Sequence, residues 1–446
     1  MKKQLLEQFE SLRPALINAI KETVAFPSVL DENATDTPFG KEIDDCLKHT
    51  LKMCDSLGFN TFYNEEGYYG YAEIGSGKEM LAILGHLDVV PAGDLNKWNS
   101  NPFEVLEKDN KLFGRGTQDD KGPTLIALYA VKALMDTGVT FNRRIRFIFG
   151  TDEENLWRGI NKYMENEEIP TMGFTPDSKF PLIYAEKGLL QFTFVGEGEP
   201  LILKGGDSYN AVPDLITYTS KDIPVIEKEL KKINGTFDTK DNIITVFGKS
   251  VHAASGEDGI NAIKKLMIAI SNTGLSTPSL NFVSEYLGDD PYAEKIFGQL
   301  EDEMSGKLKF NLGKVDINNE KSILHFDVRI PVSFSKEEIV EKLEIIASKL
   351  GFKYDERDFL KSLYVPLDNL LIKSLIKVYE EETDFDSTPL SSGGATYARS
   401  MENCVAFGPV FPDSKKTEHQ PNENLSLEDL DRAFIIYGKA VYELTR

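Results

Sequence analysis

Histidine and cysteine are scarce in this chain: five histidines and three cysteines stand among 446 residues. The cysteines (Cys46, Cys54, Cys404) are odd in number and lack the spacing of a disulfide framework or a zinc ribbon. That usage fits a reducing compartment, and the cytoplasm is the expected location. Basic charge is also short. Fifty Lys and Arg face 72 Asp and Glu, a net charge of −22. A field of that sign repels phosphate, which argues against nucleic acid and anionic membrane surfaces as partners. No apolar run approaches the ~20 residues of a membrane span. "MKKQLLEQFESL" follows its lysines with glutamates, not with the apolar core of a signal peptide. There is no internal repeat and no low-complexity segment.

What is present is enough apolar residue, 41%, to fill real cores in two or three domains. Leu5, Phe9, Leu12, Leu16 and Ile20 have helical spacing over residues 3–24, and a second helix is expected over 40–57. Residues 61–114 read as strands and turns. "PTLIALYAVKALMDTG", 123–138, opens on Pro and closes on Gly as a helix does, and is apolar nearly all round. "RRIRFIFGTDEEN", 143–155, is a strand running into acids. Strands alternating with helices predict an α/β domain with a mostly parallel sheet, whose ligands bind at the carboxyl ends of the strands.

From about residue 187 the texture changes. "SILHFDVRIPVSF", 322–334, alternates strictly, with Leu324, Phe326, Val328 and Ile330 on one face and His325, Asp327 and Arg329 on the other. This predicts a half-exposed antiparallel strand. A helix follows, with Ser335 as N-cap, Glu338 closing a capping box and Gly351 as the stop. Another helix is expected within 259–271. Residues 187–365 therefore read as an inserted α+β domain, and 1–186 with 366–446 as the domain that carries it.

Chemistry concentrates at predicted strand ends. In "LAILGHLDVVPAG", 81–93, an aliphatic strand ends in His86 with Asp88 two positions on, so both project to one side. That is either an imidazole ligand oriented by a carboxylate or a polar strand end facing solvent. "GRGTQDDKGP" brings Asp119 and Asp120 to a helix start, where acids are often only dipole complements. "GTDEENLWRG" places Glu153 and Glu154 side by side, and adjacent carboxylates repel unless a cation or proton lies between them. "TPDSKFP" holds Asp177 and "KKTEHQPNENL" holds His419. Each alone is weak and reads more readily as a solvated loop. Together they offer imidazole and carboxylate without thiolate, a donor set that suits zinc or manganese. His49, in a helix, reads as plain surface, and His325 as ordinary.

The chain resembles the co-catalytic dinuclear metallopeptidases that include aminoacylases, acetylornithine deacetylase and carnosine-type dipeptidases. Within them it is most similar to the bacterial dipeptidase V branch, also called Xaa-His or Mn-dependent dipeptidases. The resemblance rests on "GHLDVVPAG", "GRGTQDDKGP", "DEEN", "TPDSKFP", "VHAASGEDGINA", "SGGATYAR" and "TEHQPNE", in that order across residues 85–423.

The resemblance implies a phosphorylase/hydrolase-like catalytic domain with the insert as a lid, and two divalent metal ions, Zn or Mn, as cofactors. It implies that His86 and Asp177 hold one ion, Glu154 and His419 the other, with Asp119 bridging. Asp88 would orient His86, and Glu153 would be the general base. On the lid, His252 would donate to the oxyanion, and Asn210, Arg329, Gly393 and Gly394 would contact substrate. Arg329, outward on its strand, would be free to clamp a carboxylate. The pattern's third glycine is Ala395 here, a methyl that bears on substrate range. The implied activity is hydrolysis of dipeptides with a free amino end, a small peptide being the only partner. A monomer is expected, because the insert of about 180 residues is long enough to supply the lid histidine within one chain. An N-acyl amino acid deacylase or desuccinylase would use the same metal centre. A non-catalytic metal or peptide binding module is the reading from a different class.

Overall fold

A computed structural model describes residues 2–446 and divides them into two compact units. One runs to Tyr184 and resumes over Tyr364–Leu390 and Thr396–Arg446; the other is Ala185–Leu363 with Ser391–Ala395. The short stretch Ser391–Ala395, expected in the first domain, therefore belongs with the second unit.

The first unit is built on a mainly parallel sheet. Four parallel strands lie side by side in the order Arg144–Gly150, Met80–His86, Met172–Thr175 and Cys404–Ala406. Antiparallel strands Gly70–Ile74 and Asn60–Tyr63 extend the sheet past Arg144–Gly150. Every residue of Met80–His86 is buried, as a strand covered on both faces must be. The helix Lys121–Asp136 packs against this strand and against the helices Lys2–Val24 and Leu427–Thr445. Its near-uniform apolarity follows: Leu125 through Val131 are all buried. Two strand ends coincide, because His86 is paired with Gly150 and the Leu87 N–H donates to the Gly150 carbonyl at 2.9 Å. Whatever follows Gly150 is thereby brought beside His86.

The second unit holds an antiparallel sheet in the order Leu203–Gly205, Lys309–Ile317, Lys321–Ile330, Gly188–Glu197, Lys353–Leu360. Phe192, Phe194, Phe310 and Phe326 pack ring against ring within its core, mostly tilted or edge-on. A smaller sheet of Leu215–Thr219, Ile243–Phe247 and Thr236–Lys240 joins it, backed by the helices Ile223–Lys232 and Ala262–Asn272. The helix Lys336–Leu350 has the expected ends, with a complete Ser335–Glu338 capping box and Gly351 in the left-handed region at φ 79°.

One expectation fails here. The strand Lys321–Ile330 is not half-exposed along its length: Asp327 and Arg329 are buried on its polar face. The two charges make this affordable by neutralising each other. The Arg329 Nε donates to Asp327 Oδ1 at 2.6 Å and its Nη2 to Oδ2 at 3.0 Å.

Candidate metal centre

Six side chains converge at the carboxyl ends of the parallel strands. His86 ends its strand; Glu153 and Glu154 follow Gly150; Asp177 follows Thr175. Asp119 comes from the loop before Lys121–Asp136, and His419 from the loop before Leu427–Thr445. Donor atoms of His86, Glu153 and Asp177 lie within 4.8 Å of one another, as do those of His86, Asp119 and Glu154. The His419 Nε2 stands 3.1 Å from both Asp119 Oδ2 and Glu154 Oε1. The Asp119 carboxylate thus lies between the imidazoles, its Oδ1 2.9 Å from His86 Nε2.

The supporting contacts differ from the sequence reading in one respect. The His86 Nδ1 is 2.9 Å from the carbonyl oxygen of Asp88, while the Asp88 carboxylate is 3.6 Å away. The backbone carbonyl of Asp88 is the nearer acceptor for the ring, with the carboxylate of the same residue behind it. An Nδ1–H donated to that carbonyl would leave Nε2 as the nitrogen that can exchange its proton, shared with Asp119 when no ion is bound, for an ion. The Asp88 carboxylate does other work: Oδ1 accepts the Glu153 N–H at 3.1 Å and Oδ2 the Glu154 N–H at 3.0 Å. Asp120 turns away from Asp119 toward the core. Its Oδ2 accepts the Thr124 hydroxyl at 2.7 Å and the His86 backbone N–H at 3.2 Å.

The electrostatics call for cations. Burial, and then the charges of Glu154, Asp119 and Asp88, hold the Glu153 carboxyl well above the usual range despite His86. Burial and Asp119 do the same to Asp177, and also raise Glu154. Asp119 goes the other way. Burial opposes its ionisation, but hydrogen bonds from His419 and His86 outweigh burial and keep it ionised. Four carboxylates in one half-buried cluster repel, and two imidazoles with no thiolate complete a donor set that fits divalent metal ions.

Sequence reading missed three supporting residues. Tyr397 is buried, its ring 6.3 Å from that of His86, and its hydroxyl has no hydrogen-bond partner among the described residues. A Cβ at Gly150 would come within 2.2 Å of that ring, so the strand must end in glycine there. Gln118 and Glu423 tie loops together, as developed below. "SGGATYAR" and "TEHQPNE" contained two of these residues, but nothing in a string of letters distinguishes a ligand from its support.

In the second unit the remaining candidates are neighbours. The Ala253 N–H donates to the Asn210 carbonyl at 2.8 Å, which sets Asn210 beside the turn carrying His252. The Arg329 Nη1 donates to the Gly393 carbonyl at 2.8 Å, and a Cβ on Gly393 would meet that of Ala254 at 2.8 Å. Gly394 donates its N–H to Ser392 Oγ. Asn210 and His252 are exposed, whereas Arg329 is buried rather than outward. His49, expected on the surface, is partly covered by Phe26, 5.2 Å between ring centroids.

A family model described as Peptidase family M20/M25/M40 matches residues 82–443. The chain belongs to that family. As an M20/M25/M40 peptidase it is a hydrolase, and the matched span takes in every residue of the cluster. It is 33% identical over 471 residues to the protein named "Putative dipeptidase MW1694" of Staphylococcus aureus (strain MW2), covering 100% of this chain and 99% of that one. Among solved structures, the di-peptidase Dug1p from Saccharomyces cerevisiae matches with a TM-score of 0.62 at 13% identity, covering 99% and 98% of the two chains. Human carnosine dipeptidase 1 matches with a TM-score of 0.60 at 16% identity, covering 100% and 99%. At such identities the likeness is one of fold. Among the described residues, no helix is long and apolar enough to cross a membrane.

Proposed function

We propose that this peptidase hydrolyses dipeptides with a free amino end, using two divalent metal ions, Zn or Mn. The observation that carries the reading is the paired placement of Glu153 and Glu154. Both backbone N–H groups are held by the one Asp88 carboxylate, beside His86 and Asp177 on one side and Asp119 and His419 on the other. His86 and Asp177 would hold the first ion and Glu154 and His419 the second, with Asp119, which lies between the two imidazoles, available to both. Bound ions of this kind lower the pKa of water and polarise a carbonyl.

The protein's own groups do the rest. Glu153, ionised once cations balance the neighbouring carboxylates, accepts a proton from the attacking water and returns it to the leaving amine. His86 is kept in one tautomer by the Asp88 carbonyl. The second unit acts as the lid: His252 donates to the oxyanion, and Asn210, Gly393 and Gly394 line the substrate. Arg329 has three of its five N–H groups engaged by Asp327 and Gly393. It therefore serves the substrate carboxylate with what remains, from a fixed position. The insert, about 180 residues, is long enough to supply the lid histidine within one chain, which supports a monomer. Three free cysteines, all buried, support a reducing cytoplasmic location.

The test is a substrate panel under each metal. Xaa-Xaa dipeptides should turn over with Zn²⁺ or Mn²⁺, and N-acetyl and N-succinyl amino acids should not. Preference for the acylated amino acids would replace this reading with a deacylase, and no turnover on either set would leave a binding module.

A further inference from the structure

The loops that carry Asp119 and His419 hold each other through two buried side chains. Glu423 lies four residues after His419 and is fully buried. Its Oε1 accepts three backbone N–H groups of the Asp119 loop: Gly116 at 3.0 Å, Gln118 at 2.9 Å and Asp119 itself at 3.2 Å. Its Oε2 accepts from Arg115 Nη1 at 2.6 Å. Gln118, the residue before Asp119, does the reverse. Its Oε1 accepts the backbone N–H of Thr417 at 2.6 Å and of Glu418 at 3.1 Å, and its Nε2 donates to the Lys415 carbonyl at 3.0 Å. Each side chain satisfies the other loop's main chain directly beside a candidate ligand. The two loops are some 300 residues apart in sequence.

We infer that Gln118 and Glu423 form a reciprocal clasp that sets the Asp119–His419 spacing and so builds the second ion's site; the inference rests on the two-ion reading above. Both side chains are engaged by the opposite loop rather than aimed into the cluster, so both are positioning residues. Two observations point the same way. His419 sits in the left-handed region at φ 60°, a conformation a non-glycine residue keeps only when its surroundings over-determine it. The 3.1 Å approach of its Nε2 to Asp119 spans the two clasped loops. His86 and Asp177 stand on the ends of parallel strands and do not depend on the clasp.

The experiment is titration of metal-free protein with Mn²⁺, read by calorimetry and by elemental analysis after dialysis at fixed free Mn²⁺. Wild type should take two ions. Gln118→Ala and Glu423→Ala should bind the second ion roughly 10–100-fold more weakly, the usual cost of losing an outer support, and the first ion, which keeps His86 and Asp177 and shares only Asp119, less so. Gln118→Glu and Glu423→Gln keep an acceptor oxygen for the opposite loop and should recover much of that affinity. The control is Glu199→Ala, a buried carboxylate of the second unit that holds the N–H and hydroxyl of Ser279; it should lose stability and keep both ions. Two ions of unchanged affinity in folded clasp variants would overturn the clasp alone. So would a first ion weakened as much as the second or more, or failure of the milder variants to recover. One ion in wild type would overturn the two-ion reading and the clasp with it.

Discussion

The Asp88 carboxylate holds both members of the Glu153–Glu154 pair by their backbone, one oxygen to each N–H, at 3.1 and 3.0 Å. A single side chain, wholly buried, thus aims the two glutamates. Asp88→Ala should leave two buried N–H groups unsatisfied, at about 1–3 kcal/mol each. We expect a lower melting temperature and a fall in kcat greater than any rise in KM. An Asp88→Ala enzyme with normal kcat would show that the pair needs no such support.

His86→Ala and His419→Ala should each lower the metal content and abolish activity, whereas His49→Ala should do neither. His49 lies away from the cluster, with Glu22 as its nearest charge at 3.8 Å. Elemental analysis of the three purified variants is sufficient. Full metal content in either ligand variant would remove that residue from the centre.

His252→Ala should lower kcat by about 10²–10³-fold, the usual effect of a lost oxyanion donor. Arg329→Lys should raise KM for free dipeptides more than for C-terminally amidated ones. Lysine is the better test than alanine, because Asp327 would otherwise be left buried and unpaired. Mixing inactive Glu153→Gln with inactive His252→Ala protein checks the monomer. Recovered activity would mean that subunits share sites.

His325 gives a pH dependence. Burial first, then the positive charges of Lys314 and Arg357, lower its pKa from 6.5 to about 4. Its Nδ1 is 2.9 Å from the Tyr209 hydroxyl. Between pH 6.5 and 4 the unfolded chain therefore binds more proton at this site than the folded one, and stability falls as pH falls through that window. Partial exposure reduces the effect to about 1–2 kcal/mol. His325→Gln should retain about that much more of its pH 7 stability at pH 4.5 than wild type does. Equal acid losses in the two proteins would count against the shift.

Much of this was legible in the sequence, for identifiable reasons. Hydrophobic period and caps located the buried strand ending at His86, the helix after Asp120 and the Ser335 capping box. Ordered motifs indicated the family. What escaped was the direction in which a group acts. Two residues after His86, Asp88 suggested a carboxylate behind an imidazole, but the strand ends there, so the carbonyl meets the ring and the carboxylate meets the next strand's loop. Alternation placed Arg329 on a wet face, yet paired charges can be buried where a lone one cannot. Gln118 and Glu423 looked like loop residues, because their partners lie at the far end of the chain.

The central claim is that Glu153 moves the proton while its neighbours hold the ions. Glu153 is close enough to His86 and Asp177 to be a ligand itself, so the claim can fail. The decisive measurement is dipeptide turnover and Mn²⁺ content of Glu153→Gln beside wild type. The account predicts two ions in both proteins and a rate lower by about 10²–10⁴-fold or more in the variant. A variant that keeps most of its activity, or that loses an ion along with it, would contradict the account.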